Sequence, residues 1–189
     1  PDDYEKAVAI ADREDVTEGS VVRQTLLEVD LEGLPWADEE AEAYFSEDTD
    51  TMSIGICSLG DRAYREYLKE LGLTYDEAKD KAILFNSFSL YDEQTGQSRA
   101  HRIFQMSAGD VFSGSIYDLT AGGEDSGRED ASLTLAAVTD RETLGISGTQ
   151  AVLIVSDEWM DAHANAVFDS ATAYYDCEDA DALQEVMTD

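Results

Sequence analysis

The sequence has few basic residues, and this shortage excludes one class of function. Lysine and arginine together number 12, against 43 aspartates and glutamates, so the formal net charge is −31 at pH 7. A protein that binds nucleic acid without regard to sequence neutralises the phosphates with a face rich in lysine and arginine. Docking on anionic lipid likewise needs a basic patch. Because basic residues are so few, we expect no nucleic acid among the partners and no docking on anionic lipid through a basic patch.

Long apolar runs and cysteines are also scarce. No stretch approaches the roughly 18 apolar residues of a membrane span, and there is no signal peptide with a basic and then an apolar segment. Because the chain also starts at Pro1 rather than at methionine, we expect it to be a piece of a longer protein. Cys57 and Cys177 form no CxxC pair, which argues against a structural zinc site. They are either two separate buried thiols or one disulfide, which needs an oxidising compartment.

Proline and glycine are too few for a low-complexity chain. The 189 residues include 2 prolines and 13 glycines, and 43% of the residues are hydrophobic, as in an ordinary globular domain. We expect a folded, strongly anionic domain whose surface suits high salt. The acidic run at 38–50 has no calcium-loop pattern and is interpreted as a solvated face, so no metal and no cofactor is predicted.

Apolar spacing predicts two units in which a strand is followed by a helix. A buried strand at 52–59 precedes a helix for which Asp61 is the predicted N-cap and Gly72 the predicted C-terminal stop. A second buried strand at 151–156 precedes a helix capped by Ser156. Further strands are predicted at 20–31, 82–91, 99–106, 111–117, 132–138 and 171–177, and further helices at 3–14, at 37–45 and after Asp179.

These elements predict an α+β fold with a mixed sheet. The expected arrangement is a subdomain of βα units formed by both chain ends, about 1–80 and 141–189. A β-rich subdomain at about 82–140 is expected as an insertion, with a hairpin formed by 82–91 and 99–106.

The residues that carry chemistry are few, so no catalytic residue is predicted. His101 and His163 are isolated, and no G-x-S-x-G elbow is present. Cys177 lies among carboxylates that oppose thiolate formation. The glycine-rich segment 122–127 lacks the lysine of a phosphate-binding loop. A set of aromatic side chains belongs either to the core or to a sugar- or peptide-binding groove: Tyr64, Tyr67, Tyr91, Trp159, Tyr174 and Tyr175.

Several segments of the sequence resemble those of a known family. SLGDRAYREYLKELGLTYDEAKDKAILFNSFSLYDEQTGQSR at 58–99, LTLAAVTDRETLGI at 133–146 and AVLIVSDEWMDA at 151–162 resemble the extracellular domain of FtsX-like, MacB-like ABC transporter permeases of Gram-positive bacteria. The Gly109–Asp110 entry to a strand belongs to the same pattern. The resemblance covers roughly half of the chain.

The resemblance implies a location and a role. The full protein would carry membrane helices on both sides of this domain, with helix 3–14 continuing from the first, and the domain would face the outside of the cell. It would be non-catalytic, since ATP hydrolysis belongs to a separate cytoplasmic ATPase subunit. The domain would couple the motion of the membrane helices to the binding or sensing of an extracellular peptide, lipid or protein. The anionic surface favours a cationic peptide or another cell-envelope ligand, and no ligand-binding residue is assigned.

Two other functions remain open from the residues alone. One is a secreted acidic hydrolase that uses a carboxylate pair, whose defining separation is spatial and not visible in the sequence. The other is a stand-alone cell-surface binding module.

Overall fold

The computed structural model of the protein describes residues 2–46, 49–92, 96–118, 127–146, 150–168, 170–179 and 183. Its fold is α+β, as predicted, and strands outnumber helices among the described elements. The helices are α1 (Asp2–Ala11), α2 (Glu39–Phe45), α3 (Asp61–Glu70), α4 (Tyr75–Ala78) and α5 (Asp157–Ala162). The strands are β1 (Val16–Asp30), β2 (Thr51–Ser58), β3 (Ala82–Phe85), β4 (Phe88–Asp92), β5 (Gln97–His101), β6 (Val111–Tyr117), β7 (Arg128–Thr139), β8 (Val152–Ile154) and β9 (Thr172–Cys177).

Six of the strands form a mixed, barrel-like sheet. Strand β1 pairs antiparallel with β2, β2 parallel with β8, and β8 antiparallel with β3. The circuit continues with β3 parallel to β7 and β7 antiparallel to β6, and it closes where β6 pairs antiparallel with β1. Strand β9 adds to β1 outside this circuit, while β4 and β5 form a separate two-stranded sheet.

Along each barrel strand, side chains point alternately into the barrel and outward. Helices cover part of the outer face. All six strands contribute alternate residues to one buried cluster, which includes Leu27, Ile56, Leu84, Phe112, Leu133 and Leu153. The intervening residues of β2, β3 and β8 belong to a second cluster with helices α3 and α4, where Tyr64, Tyr67 and Leu68 are buried. Helix α3 shows the apolar spacing predicted from the sequence. Its apolar residues recur at that spacing because they face the barrel wall.

Strand β1 connects the barrel with the first and last described elements. It is 15 residues long, well above the usual strand length of about 5–6 residues. Its second half pairs with β2 and β6, and its first half pairs with β9 from Val16↔Cys177 to Val22↔Thr172. Helix α1 packs on the same first half, where a Cβ at Gly19 would come within 2.8 Å of the backbone of Ala11.

The predicted cap of the helix after strand 151–156 is confirmed. Ser156 caps α5: its hydroxyl accepts a hydrogen bond from the Trp159 backbone N–H at 3.1 Å and donates one to the Lys79 carbonyl at 2.7 Å. In the earlier unit the helix begins one residue sooner than predicted, because Gly60 is the N-cap and Asp61 is the first helical residue.

The predicted hairpin is correct in position and wrong in extent. The stretch 82–91 is not one strand: it breaks at Asn86 and Ser87 into β3, which enters the barrel, and β4, which pairs with β5. The return strand stops at His101 instead of Met106. At this break Asn86 holds the segment after β5, because its side-chain carbonyl accepts hydrogen bonds from the backbone N–H groups of Ile103 and Phe104 at 3.2 and 2.9 Å.

The finer prediction, an inserted subdomain at 82–140, is not confirmed. Strand β3 lies between β8 and β7, and β6 pairs with β1, so strands from this stretch share one sheet with strands from both chain ends. The helix predicted after Asp179 lies outside the described residues except for Leu183, which is buried. In the described ranges, no helix has both the length and the apolar character required to cross a membrane.

Candidate functional site

A cavity of about 270 Å³ lies where two parallel strands end. Strand β3 leads into Asn86 and Ser87, and the neighbouring parallel strand β7 leads through Thr139 into Asp140. The end of β5 forms the opposite wall. Carboxyl ends of adjacent parallel strands commonly form ligand-binding crevices in α/β sheets. The lining residues are Asn86, Ser87, Ala100, His101, Arg102, Val138, Thr139 and Asp140.

Asn86 fixes the shape of this cavity. It is almost fully buried, its side-chain N–H donates to the Phe104 carbonyl at 2.7 Å, and its backbone N–H donates to the Thr139 carbonyl at 2.8 Å. Together with the hydrogen bonds from Ile103 and Phe104, these contacts join the ends of β3 and β7 to the segment after β5. Leaving such buried partners unpaired costs several kcal/mol, of the order of 1–3 for each group.

His101 is held at the rim by a carboxylate. Its Nε2 lies 3.1 Å from Oδ1 and 3.0 Å from Oδ2 of Asp38, and its ring meets Phe88 edge-on at 5.3 Å. Asp38 also accepts hydrogen bonds from the backbone N–H groups of Ala41 and Glu40 at the start of α2. The Ala41 N–H, and then His101, hold the pKa of Asp38 below its usual value. The pair thus anchors α2 to the hairpin.

A histidine paired with a carboxylate also resembles part of a hydrolase triad, so its surroundings matter. In the part of the chain that the structure describes, the hydrogen-bond partner of His101 is Asp38, and Ser87 lines the same cavity without a hydrogen bond to His101. The same described ranges contain no group of three or more His, Cys, Asp or Glu side chains placed to hold a metal ion.

A second cluster joins α1, β1 and α5 at one end of the barrel. The Arg23 guanidinium lies 2.9 Å from Asp157 and 2.5 Å from Asp161, and its carbon is 4.8 Å from the centre of the Tyr4 ring. The Tyr4 hydroxyl donates to Asp157 at 3.4 Å. Burial, followed by the charge of Asp157, raises the pKa of Tyr4 to about 12. Three elements are therefore linked through one arginine.

A third contact fastens the connection between α1 and β1. Arg62 of α3 donates to the carbonyl oxygens of Ala11 and Arg13 at 2.9 and 3.4 Å, and to those of Val16 and Thr17 at 3.3 Å each. These carbonyls follow the end of α1, where a positive charge is favourable.

The structure excludes the predicted disulfide alternative. Cys57 and Cys177 are both free thiols. Cys57 is opposite Gln24 and Cys177 is opposite Val16, which lie eight positions (24 − 16) apart on β1. That separation is about 26 Å at roughly 3.3 Å per residue, far beyond disulfide reach. Cys57 matches the other alternative, a buried thiol, and its burial raises the pKa to about 12.

The other residues singled out from the sequence lie in different parts of the structure. His163 ends α5, with Nδ1 2.9 Å from the Trp159 carbonyl and its ring stacked on Trp159 at 4.0 Å. Tyr64 and Tyr67 belong to the core, whereas Tyr91 and Tyr174 are exposed. The predicted aromatic set therefore does not form one groove. Of the segment 122–127, all but Gly127 lies outside the described residues.

Sequence reasoning missed Asp38, Arg62 and Arg102 as members of sites. The partners of Asp38 and Arg62 are distant in sequence, with 63 positions between Asp38 and His101 and 51 between Ala11 and Arg62, and Arg102 meets Asp140 only across the cavity. No local spacing could reveal these contacts, because they depend on how the barrel closes.

Comparisons with protein-family models, with curated proteins and with solved structures found no significant match.

Proposed function

We propose that this chain is a non-catalytic extracellular domain of an FtsX-like, MacB-like ABC transporter permease. It would transmit motion of membrane helices, driven by a cytoplasmic ATPase subunit, to a site that binds or senses an extracellular peptide, lipid or protein. Two things support the proposal: the resemblance of 58–99, 133–146 and 151–162, and the way in which the first and last described elements attach to the barrel.

The attachment is the observation that carries the proposal. Helix α1 and strand β9 pack side by side, where the Tyr175 hydroxyl donates to the Ala7 carbonyl at 3.0 Å. Both contact the first half of β1, whose second half is part of the barrel wall. A force applied to either element therefore reaches the barrel through one continuous strand.

The contacts of α1 make this transmission stiff. Arg62 holds the end of α1 against the start of β1, and Arg23 connects Tyr4 of α1 to Asp157 of α5. Because α5 contributes Met160 to the interior cluster, a displacement of α1 acts on the barrel wall and on the barrel interior together. A packed core responds to such a displacement as a two-state element rather than by continuous deformation.

The charge of the domain indicates the class of ligand. With a net charge of −31, the long-range field attracts cations and repels anions. We therefore propose a cationic peptide as the extracellular ligand. Titration of the purified chain with a lysine-rich amphipathic peptide is expected to show binding that weakens as NaCl rises. An absence of binding at low ionic strength would reject the cationic ligand.

The test of the permease assignment is the reading frame that encodes the chain. The proposal predicts apolar spans of about 20 residues before residue 1 and after residue 189. A stand-alone binding module or a secreted hydrolase would lack the span on at least one side, and that result would overturn the assignment.

A further inference from the structure

The cavity at the ends of β3 and β7 carries two opposite charges that do not neutralise each other. Arg102 lines one wall and Asp140 the other, and both are exposed to solvent. Their neighbours behave differently: Arg99 pairs with Glu40 at 2.7 Å, and Arg141 pairs with Glu70 at 2.9 Å.

Arg102 is exceptional in this acidic protein. Every other arginine in the described ranges forms an ion pair with a carboxylate. With 43 acidic residues against 12 basic ones, carboxylate partners are abundant, so an unpaired guanidinium at a cavity wall is not explained by a shortage of partners. Asp140 also forms no ion pair among the described residues, as is usual for the carboxylates of this chain, which outnumber its basic residues 43 to 12.

The overall charge restricts what this pair of groups can bind. A simple anion at Arg102 would be opposed by the field of the whole molecule and by Asp140. A simple cation at Asp140 would be opposed by Arg102. A ligand that carries both charges satisfies both groups and is nearly neutral overall, so the field of the protein does not repel it.

The remaining walls fit a ligand of this kind. Ser87 and His101 also line the cavity and supply polar groups, and Val138 and Ala100 supply apolar surface for a small side chain. At about 270 Å³ the cavity is slightly below the roughly 300 Å³ at which pockets for drug-sized molecules begin. We propose that this cavity binds a free α-amino acid, with the ligand carboxylate at Arg102 and its ammonium group at Asp140.

This inference goes beyond the proposed function and does not depend on it. Binding is a property of the chain itself, whereas the permease assignment depends on membrane spans outside the 189 residues. The two can therefore fail separately.

The test is a titration of the full 189-residue chain, followed by calorimetry and by NMR chemical shifts. The probes are glycine, L-alanine, L-serine and L-valine, with N-acetyl-L-valine and L-valinamide as analogues that each keep one charge. We expect saturable 1:1 binding of at least one free amino acid, and binding at least about tenfold weaker for both analogues, since each loses a charge-assisted contact.

Two variants and two matched controls assign the contacts. Arg102→Gln and Asp140→Asn are each expected to weaken binding about tenfold or more. Arg65→Gln and Asp76→Asn remove the same charges elsewhere on the surface and are expected to leave binding unchanged. Because all four side chains are exposed, circular dichroism should show intact folding. Binding by none of the four amino acids, equal binding of the analogues, or unchanged binding in Arg102→Gln and Asp140→Asn would overturn the proposal.

Discussion

At the scale of single residues, arginines form many of the hydrogen bonds between elements that are distant in sequence. Arg62 and Arg23 connect helices to β1, and Arg128 connects β7 to Glu28 of β1 at 2.8 Å. A guanidinium presents five donors in a fixed fork, so one side chain binds several acceptors at once. In a chain rich in carboxylates and poor in lysine, these few contacts fix how separate elements meet.

Replacing Arg62 tests this role. Arg62→Gln removes the donors for Ala11, Arg13, Val16 and Thr17, and we expect the free energy of unfolding to fall by roughly 1–2 kcal/mol in urea titrations. Amide hydrogen exchange in α1 should accelerate more than exchange in β3. The control Arg141→Gln breaks an exposed ion pair with Glu70 and should have a much smaller effect. Equal effects of the two variants would show that Arg62 is an ordinary surface charge.

The two cysteines differ in exposure, and this gives a second test. Cys57 is buried and its pKa is raised to about 12, whereas Cys177 is half-buried. At pH 8 an aromatic disulfide reagent should modify Cys177 and leave Cys57 protonated and protected, and both should react after unfolding in urea. A Cys177→Ser variant should show almost no native reaction. A Cys177 that reacts no faster than Cys57 in the native protein would contradict this difference in exposure.

At the scale of elements, local chemistry predicted well and long-range pairing did not. The strand-then-helix units at 52–70 and 152–162 follow from apolar spacing and from the Ser156 cap, which act within a few residues. The break at Asn86 could not be predicted, because it depends on Ile103 and Phe104 arriving beside it. The closure of β6 on β1 likewise depends on contacts about 90 positions apart, such as Leu27↔Ile116. The cavity was missed for the same reason.

Strand β6 approaches strand β1 very closely at Gly114. A Cβ at this position of β6 would overlap the Glu28 carbonyl oxygen of β1 and come within 2.8 Å of Val29. Gly114→Ala should therefore destabilise the fold by roughly 3 kcal/mol or more, since backbone cannot move aside as a flexible side chain does.

The matched control for this change is Gly55→Ala in β2. Its new Cβ would lie 3.7 Å from the Gln24 side chain, an ordinary contact distance. Thermal unfolding should show a large decrease in Tm for Gly114→Ala and little change for Gly55→Ala. Similar Tm values for the two variants would contradict the closure of the sheet by β6 and β1.

At the scale of the whole molecule, the dominant property is the negative charge. Repulsion among carboxylates opposes the compact state, and salt screens it: the Debye length falls from about 10 Å at 0.1 M to about 3 Å at 1 M. We expect the Tm at pH 7 to rise as NaCl increases over this range. Near pH 4, where many carboxylates are protonated, the rise should be much smaller. A Tm that falls with salt at pH 7 would mean that the ion pairs outweigh the repulsion.

The proposal that this chain is an extracellular domain is tested most directly by finding where the domain lies in the cell. In cells that produce the full-length protein, Ser98→Cys places a thiol on the exposed strand β5, and Cys177→Ser removes the native half-buried thiol. A membrane-impermeant maleimide should label this variant in intact cells as completely as in lysed cells, because an extracellular domain is accessible without lysis. Labelling that appears only after lysis would contradict it.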